Sequence, residues 1–103
     1  MARHVTPEEA KDLMDKEGYV YVDVRSVGEF NAGHAPGAYN IPLVHMGRGG
    51  ASPNEKFVAA MEKTFPKDAK LVVACQAGGR SARAVAQLEA AGFTNLADLH
   101  AGF

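Results

Sequence analysis

The sequence has no tryptophan, a single cysteine and no apolar run of the length that a membrane span needs, which is about 18 residues. It therefore predicts no transmembrane helix. A single cysteine excludes a disulfide within the chain, which agrees with a reducing compartment. Residues 1–7 also lack the apolar stretch of a secretory signal. We expect a cytoplasmic protein, although an organelle protein without its transit peptide would have the same features.

Charge of one sign is also missing, because 11 basic and 12 acidic residues leave a net charge of −1. This balance argues against partners such as nucleic acid or an anionic membrane surface. The histidines, at positions 4, 34, 45 and 100, have no metal-ligand spacing, and no C-x-x-C motif is present. We therefore predict no metal and no other cofactor. A length of 103 residues predicts one domain with one core.

Helical and strand patterns alternate along the chain. Thr6-Pro7-Glu8-Glu9 is typical of a capped helix start, and Gly18 of its end. Ser52-Pro53-Asn54-Glu55 predicts a second capped start, after a glycine-rich surface loop at 47–51. This alternation predicts an α/β fold with a central, mostly parallel sheet and helices on both faces. The other predicted elements are helices at 27–32 and about 80–91, strands at 19–24, 38–41, 70–74 and 95–99, and a core face of Phe57, Val58, Met61 and Phe65 on the helix after Ser52.

The lone thiol, Cys75, directly follows the strand at 70–74 and opens a loop that ends at Arg80, where the next helix starts. Backbone N–H groups and a helix N-terminus converge on such a position, which favours the thiolate. They also form a cradle for an anionic group on the sulfur. Gly78 and Gly79 leave room for that group. The alternatives are a buried structural cysteine and an ordinary tight turn.

With this C-x4-R loop the chain resembles the rhodanese family of sulfurtransferases, whose six-residue active loop begins with the cysteine. Four further motifs match in order: Asp23-Val24-Arg25, Glu29-Phe30, Gly33-His34-Ala35-Pro36-Gly37-Ala38 and Asn40-Ile41-Pro42. The resemblance covers about residues 5–99. It implies a rhodanese-like fold and a single-domain thiosulfate sulfurtransferase.

The resemblance and the residue types in the loops together predict roles for individual residues. Cys75 is the catalytic nucleophile that carries a persulfide, formed from a donor such as thiosulfate and passed to cyanide, a thiol or a protein. Arg80 either binds an anionic donor or braces the loop against a carboxylate. Ser81 caps the helix and can donate a hydrogen bond to the thiolate. The expected substrate-binding residues are Gln76, Ala77, Gly78, Gly79, Arg80, Ser81 and, at the rim, Arg48.

Other polar residues of the motifs are expected to support the structure. We predict that Asp23 accepts hydrogen bonds from neighbouring loop amides and that Arg25 pairs with Glu29. His34 could form a Cys–His dyad, but its place in a turn motif of the family favours a structural role.

Two other functions stay open. Related phosphatases and arsenate reductases use a loop one residue longer, C-x5-R, so the loop length argues against them. A persulfide carrier or regulatory binding module would need the same cysteine, and the sequence does not separate it from an enzyme. The family usually continues past its last strand with a closing helix, where this chain has Ala101-Gly102-Phe103. We therefore expect Phe103 to cover the exposed apolar surface, or the chain to form a weak homodimer.

Overall fold

The structure, a computed structural model, describes residues 3–34, 37–47, 50–75 and 80–99. Within these ranges the strands are β1 (Arg3–Val5), β2 (Val20–Asp23), β3 (Tyr39–Asn40), β4 (Val44–Gly47), β5 (Gly50–Pro53), β6 (Lys70–Ala74) and β7 (Asn95–Leu99). The helices there are α1 (Pro7–Glu17), α2 (Val27–Ala32), α3 (Phe57–Thr64) and α4 (Arg80–Ala90). None of these helices has the length and the apolar character to cross a membrane.

Five of the strands form one parallel sheet in the order β1-β7-β6-β2-β3. Its core strand β6 is buried on both faces, as the unbroken apolar run 71–74 indicates. Helices α3 and α4 pack on one face around Val73, whereas α1 packs on the other around Val72. The predicted α/β fold with a parallel sheet and helices on both faces is confirmed.

Local signals predicted the first helix well. The side-chain oxygen of Thr6 accepts a hydrogen bond from the Glu9 amide at 3.1 Å, and the Glu9 carboxylate accepts one from the Thr6 amide at 2.9 Å. Gly18 ends the helix with φ 75°, a conformation that glycine adopts without steric cost. The capping box therefore fixes where α1 starts, and the glycine fixes where it stops.

The region from 44 to 57 differs from the prediction. Strands β4 and β5 pair antiparallel and take up the ends of the predicted loop at 47–51, and Ser52 lies in β5 opposite His45. The predicted capped helix start at Ser52 is therefore wrong, because strand pairing fixes that residue in an extended conformation. Helix α3 begins at Phe57 without a side-chain cap. Asn54 stabilises the turn that precedes α3, because its side-chain amide donates to the Pro42 carbonyl at 2.8 Å.

The predicted core face of α3 is correct in part. Phe57 and Met61 are fully buried, whereas Val58 and Phe65 are partly buried and pack against the edge of the same cluster. Strand β1 was not predicted. It pairs with β7 over three residues, of which only Val5 is buried.

The register of the sheet brings the ends of two neighbouring strands together. Asp23 at the end of β2 lies opposite Ala74 at the end of β6, and the Val24 amide donates to the Ala74 carbonyl at 3.0 Å. The Cys75 amide lies 3.4 Å from the Leu99 carbonyl that it donates to. Cys75 therefore stands at the carboxyl edge of the sheet, between the ends of β2 and β7.

Candidate active site

The thiol of Cys75 is enclosed by the protein. The residue is 1% exposed and belongs to the core cluster between the sheet and helices α3 and α4. Alternation along β6 directs Val73 and Cys75 to this face, which is where α4 begins. The sulfur is therefore held between the end of the central strand and the first turn of a helix.

Ser81, in the first turn of α4, provides the described polar contacts of the sulfur. Its backbone N–H donates to Cys75 Sγ at 3.3 Å, and its Oγ lies 3.3 Å from the same atom. The thiol can donate to that hydroxyl, and the thiolate can accept from it. The positive end of the α4 dipole adds to the preference for an anionic sulfur. Among the described residues, Ser81 thus offers an N–H and a hydroxyl to a thiolate or to an anionic group bound to the sulfur.

The predicted cap role of Ser81 needs a correction. Helix α4 already begins at Arg80, so Ser81 lies inside the first turn and is not the N-cap. Its hydroxyl points at the sulfur because the residue is fully buried beside Cys75. The expected hydrogen bond between Ser81 and Cys75 matches this geometry.

Arg80 forms an ion pair with Glu29 of α2. Its two terminal nitrogens donate to the two carboxylate oxygens, at 2.6 and 3.0 Å. Such a bidentate pair is strong and fixes the plane of the guanidinium. Of the two roles that the sequence left open for Arg80, the structure shows bracing against a carboxylate.

Glu29 has a second set of partners at the start of its own helix. Its Oε1 accepts from the Ser26 hydroxyl at 2.9 Å and from the Ser26 amide at 3.2 Å, which completes a capping box. The hydrogen bonds from Arg80, above all, lower the pKa of Glu29 to about 2, against the opposing effect of burial, and those from Ser26 add to the shift. The hydrogen bond to Glu29 likewise raises the pKa of Arg80. The pair is fully ionised at neutral pH.

The predicted pairing of Arg25 with Glu29 is wrong. Arg25 instead pairs with Asp23, with Nη2 2.8 Å from Oδ2 and Nε 3.0 Å from Oδ1. The carboxylate also accepts the Arg25 amide at 2.9 Å, as expected for Asp23. Arg25 further donates to the Gly33 carbonyl at 2.6 Å, so it ties the two ends of α2 together.

Asn40 is a supporting residue whose role the sequence did not reveal. Its side-chain amide donates to the carbonyls of Asp23 and Arg25, both at 3.0 Å. The bonds hold the segment between β2 and α2 against β3. The Asn-x-Pro motif marked this residue without indicating its partners. Ser26 was also missed, although Ser26-x-x-Glu29 has the spacing of a capping box.

Tyr21 lies near this edge of the sheet but packs on the α1 face. Burial raises the pKa of its phenol to about 12, and the charge of Asp23 adds to the increase. His34 stacks on Phe30 with ring centroids 3.6 Å apart, and its Nδ1 lies 2.7 Å from the Phe30 carbonyl. These contacts agree with a structural role for His34.

Five predicted substrate-binding residues, Gln76, Ala77, Gly78, Gly79 and Arg48, lie outside the described residues, as does Phe103. Their roles stay predictions. Within the described ranges, no group of three or more histidine, cysteine, aspartate or glutamate side chains is placed to hold a metal ion.

The thiol thus lies between the end of β6 and the first turn of α4, and comparison with known proteins assigns the chain to a family. The model of the rhodanese-like domain matches residues 6–103. The chain belongs to the rhodanese-like domain family. The resemblance drawn from the C-x4-R loop and the four shorter motifs is thereby confirmed.

Relatives of this rhodanese-like domain include named sulfurtransferases. Thiosulfate sulfurtransferase 16, chloroplastic, from Arabidopsis thaliana is 41% identical over 91% of this chain and 78% of its own length. Rhodanese-like domain-containing protein 9, chloroplastic, from the same plant is 33% identical over 97% of the chain, which spans only 53% of that longer protein. The human single-domain sulfurtransferase TSTD1 has the same fold, with a TM-score of 0.76 over 100% of this chain and 93% of its own, at 24% identity. The relative named as a thiosulfate sulfurtransferase supports sulfurtransferase activity in the broad sense.

Proposed function

We propose that this rhodanese-like domain takes a sulfane sulfur from thiosulfate or a similar donor as a persulfide on Cys75. It then passes the sulfur to a thiophilic acceptor, which is cyanide in an assay and a thiol or a protein in the cell. The observation that carries the proposal is the position of the buried sulfur, 3.3 Å from both the N–H and the hydroxyl of Ser81 at the start of α4.

The chemistry needs a thiolate and a place for negative charge. The Cys75 thiolate attacks the sulfane sulfur of thiosulfate, the S–S bond of the donor breaks, and sulfite leaves with the electron pair. The outer sulfur of the persulfide is then anionic, and N–H donors at the helix start stabilise it. An acceptor nucleophile attacks that outer sulfur, and the Cys75 thiolate leaves. Neither step needs a residue that transfers a proton.

Intact-mass spectrometry after treatment with thiosulfate tests the first half of the cycle. We expect the protein to gain the mass of one sulfur atom, and Cys75→Ser protein to gain none. A wild-type protein that gains no sulfur from thiosulfate or from another sulfane donor would contradict the proposal.

A turnover assay separates an enzyme from a persulfide carrier. Excess thiosulfate and cyanide should yield many equivalents of thiocyanate per protein if the domain is an enzyme. A carrier would instead take up and release about one equivalent of sulfur per protein, without rapid repeated turnover. We propose the enzyme, on the strength of the relative named as a thiosulfate sulfurtransferase. The same protein should not hydrolyse an aryl phosphate. Hydrolysis of that substrate would instead favour the phosphatase alternative.

A further inference from the structure

Two arginines stand at the carboxyl edge of the sheet, and both are paired with carboxylates. Arg25 pairs with Asp23, and Arg80 pairs with Glu29. Arg80 is the residue directly before Ser81, whose amide contacts the sulfur. The cation directly before the residue that contacts the thiol is therefore neutralised by a partner from another helix.

Glu29 does more than cap its helix. Glu9 occupies the same capping-box position at the start of α1, where, within the described part of the chain, its carboxylate accepts the Thr6 amide and has no arginine partner. Glu29 makes the equivalent bonds to Ser26 and, in addition, the bidentate pair with Arg80. Because capping alone is satisfied without an arginine, the pair with Arg80 is a separate function of this carboxylate.

Arg80 lies in the same helical turn as the residue that contacts the sulfur. It directly precedes Ser81, whose N–H and Oγ both lie 3.3 Å from Cys75 Sγ. An arginine at this position without a counterion would attract an anionic donor, and would attract a dianion more than a monoanion. The carboxylate of Glu29 offsets that attraction.

We propose that Glu29 is a specificity-determining residue that, as the counterion of Arg80, makes the site favour monoanionic sulfane-sulfur donors, such as thiosulfonates and organic persulfides, over dianionic thiosulfate. This inference rests on the proposed function, because it concerns the donor of the same reaction. It makes thiosulfate a usable but disfavoured donor for the unchanged protein.

Two probes differ mainly in charge. Thiosulfate carries two negative charges, and methanethiosulfonate replaces one of its anionic oxygens by a methyl group and carries one. In both, the Cys75 thiolate attacks the sulfane sulfur and the S–S bond breaks. Sulfite or methanesulfinate then leaves with the electron pair. The ratio of kcat/KM for thiosulfate to kcat/KM for methanethiosulfonate, compared between variants, therefore reports how the site responds to donor charge.

The test is a charge cycle of four proteins: wild type, Glu29→Gln, Arg80→Gln and the double variant. We expect Glu29→Gln to raise the ratio about tenfold, because it leaves Arg80 without its counterion. Arg80→Gln should lower it by a similar factor, because it leaves the Glu29 carboxylate unbalanced. The double variant should return the ratio to within about threefold of wild type. Glu9→Gln, which removes the same charge from a capping box without an arginine partner, is the matched control and should leave the ratio unchanged.

Two results would overturn the inference. A ratio that is the same in all four folded proteins would mean that Glu29 only positions the loop. A double variant with a ratio as low as that of Arg80→Gln would mean that Arg80 itself binds the donor. If circular dichroism shows that Glu29→Gln does not fold, Arg80→Gln is compared with the double variant instead. A higher ratio in the double variant supports the inference. Equal ratios in the two variants overturn it.

Loading of sulfur separates this inference from the proposed function. A wild-type protein that gains no sulfur from either probe in intact-mass spectrometry would refute the proposed function itself. A protein that loads from both probes, but shows no change of ratio through the charge cycle, would refute only the role of Glu29 in donor selection.

Discussion

The ion pair between Glu29 and Arg80 should make stability depend on pH in a way that one substitution removes. Glutamine also serves in a capping box, so Glu29→Gln keeps the bonds to Ser26 and removes the charge that faces Arg80. The variant therefore isolates the ion pair from the helix cap.

The magnitude follows from the pKa of Glu29, which falls from 4.5 to about 2. A difference of this size corresponds to at most about 3.4 kcal/mol. The Glu29 side chain is 34% exposed, so solvent screening reduces the expected contribution to about 1–2 kcal/mol. For a domain of this length, that loss lowers Tm by roughly 5–15 °C.

The direction of the pKa shift of Glu29 fixes the sign of the pH dependence of stability. A carboxyl group whose pKa is lowered in the folded state stabilises the protein above its unfolded value, and the contribution is lost as pH falls through about 2. Wild type should exceed Glu29→Gln by about 1–2 kcal/mol in free energy of unfolding at pH 7 and at pH 5. The difference should shrink between pH 4 and pH 2.

Urea denaturation followed by circular dichroism at pH 7, 5, 3 and 2 measures this difference. Glu9→Gln is the control, because Glu9 caps α1 as Glu29 caps α2. Equal losses in the two variants at pH 7, or a loss for Glu29→Gln that does not change with pH, would refute the reasoning.

Three further predictions concern single side chains. Cys75→Ala should abolish sulfur loading and thiocyanate formation while leaving the fold intact by circular dichroism; ordinary turnover in this variant would show that another group carries the sulfur. Ser81→Ala should slow alkylation of Cys75 by iodoacetamide at pH 7 about tenfold, since a hydrogen bond to a charged group is lost, and an unchanged rate would mean that the hydroxyl does not stabilise the thiolate. Tyr21→Phe should remove the tyrosine that titrates near pH 12 in ultraviolet spectra, and in wild type the stability that the neutral phenol contributes should fall as pH rises from 10 towards 12. A late-titrating component that persists in Tyr21→Phe would contradict that assignment.

The parts of the fold that local chemistry determines were predictable. Thr6 and Gly18 delimit α1 through contacts within a few residues, and the apolar run 71–74 identifies the buried strand β6. Strand β1 was not predictable, because it pairs with β7 more than ninety residues away and only its Val5 is buried. The capping motif at Ser52 was misleading, because its pairing with His45 in the hairpin overrides the local preference.

The position of the site was predictable from the sequence, whereas the contacts between its residues were predictable only in part. Cys75 and Ser81 are six residues apart, so the turn between strand and helix brings them together. Glu29 and Arg80 are 51 residues apart, and their pairing depends on how α2 is placed beside the start of α4. From the sequence, Arg25 was the nearer partner for Glu29. In the structure Arg25 pairs instead with Asp23, whose carboxylate is two residues away and is buried together with the arginine.

The position of β6 in the middle of the sheet has a consequence for how the domain opens. Strands β7 and β2 flank it, so its amides should be among the last to exchange with deuterium, at a rate set by global unfolding. Edge strands β1 and β3, of three and two residues, should exchange by local fraying. Cys75 directly follows this central strand. Partial opening at either edge of the sheet therefore leaves the strand that carries the reactive group in place.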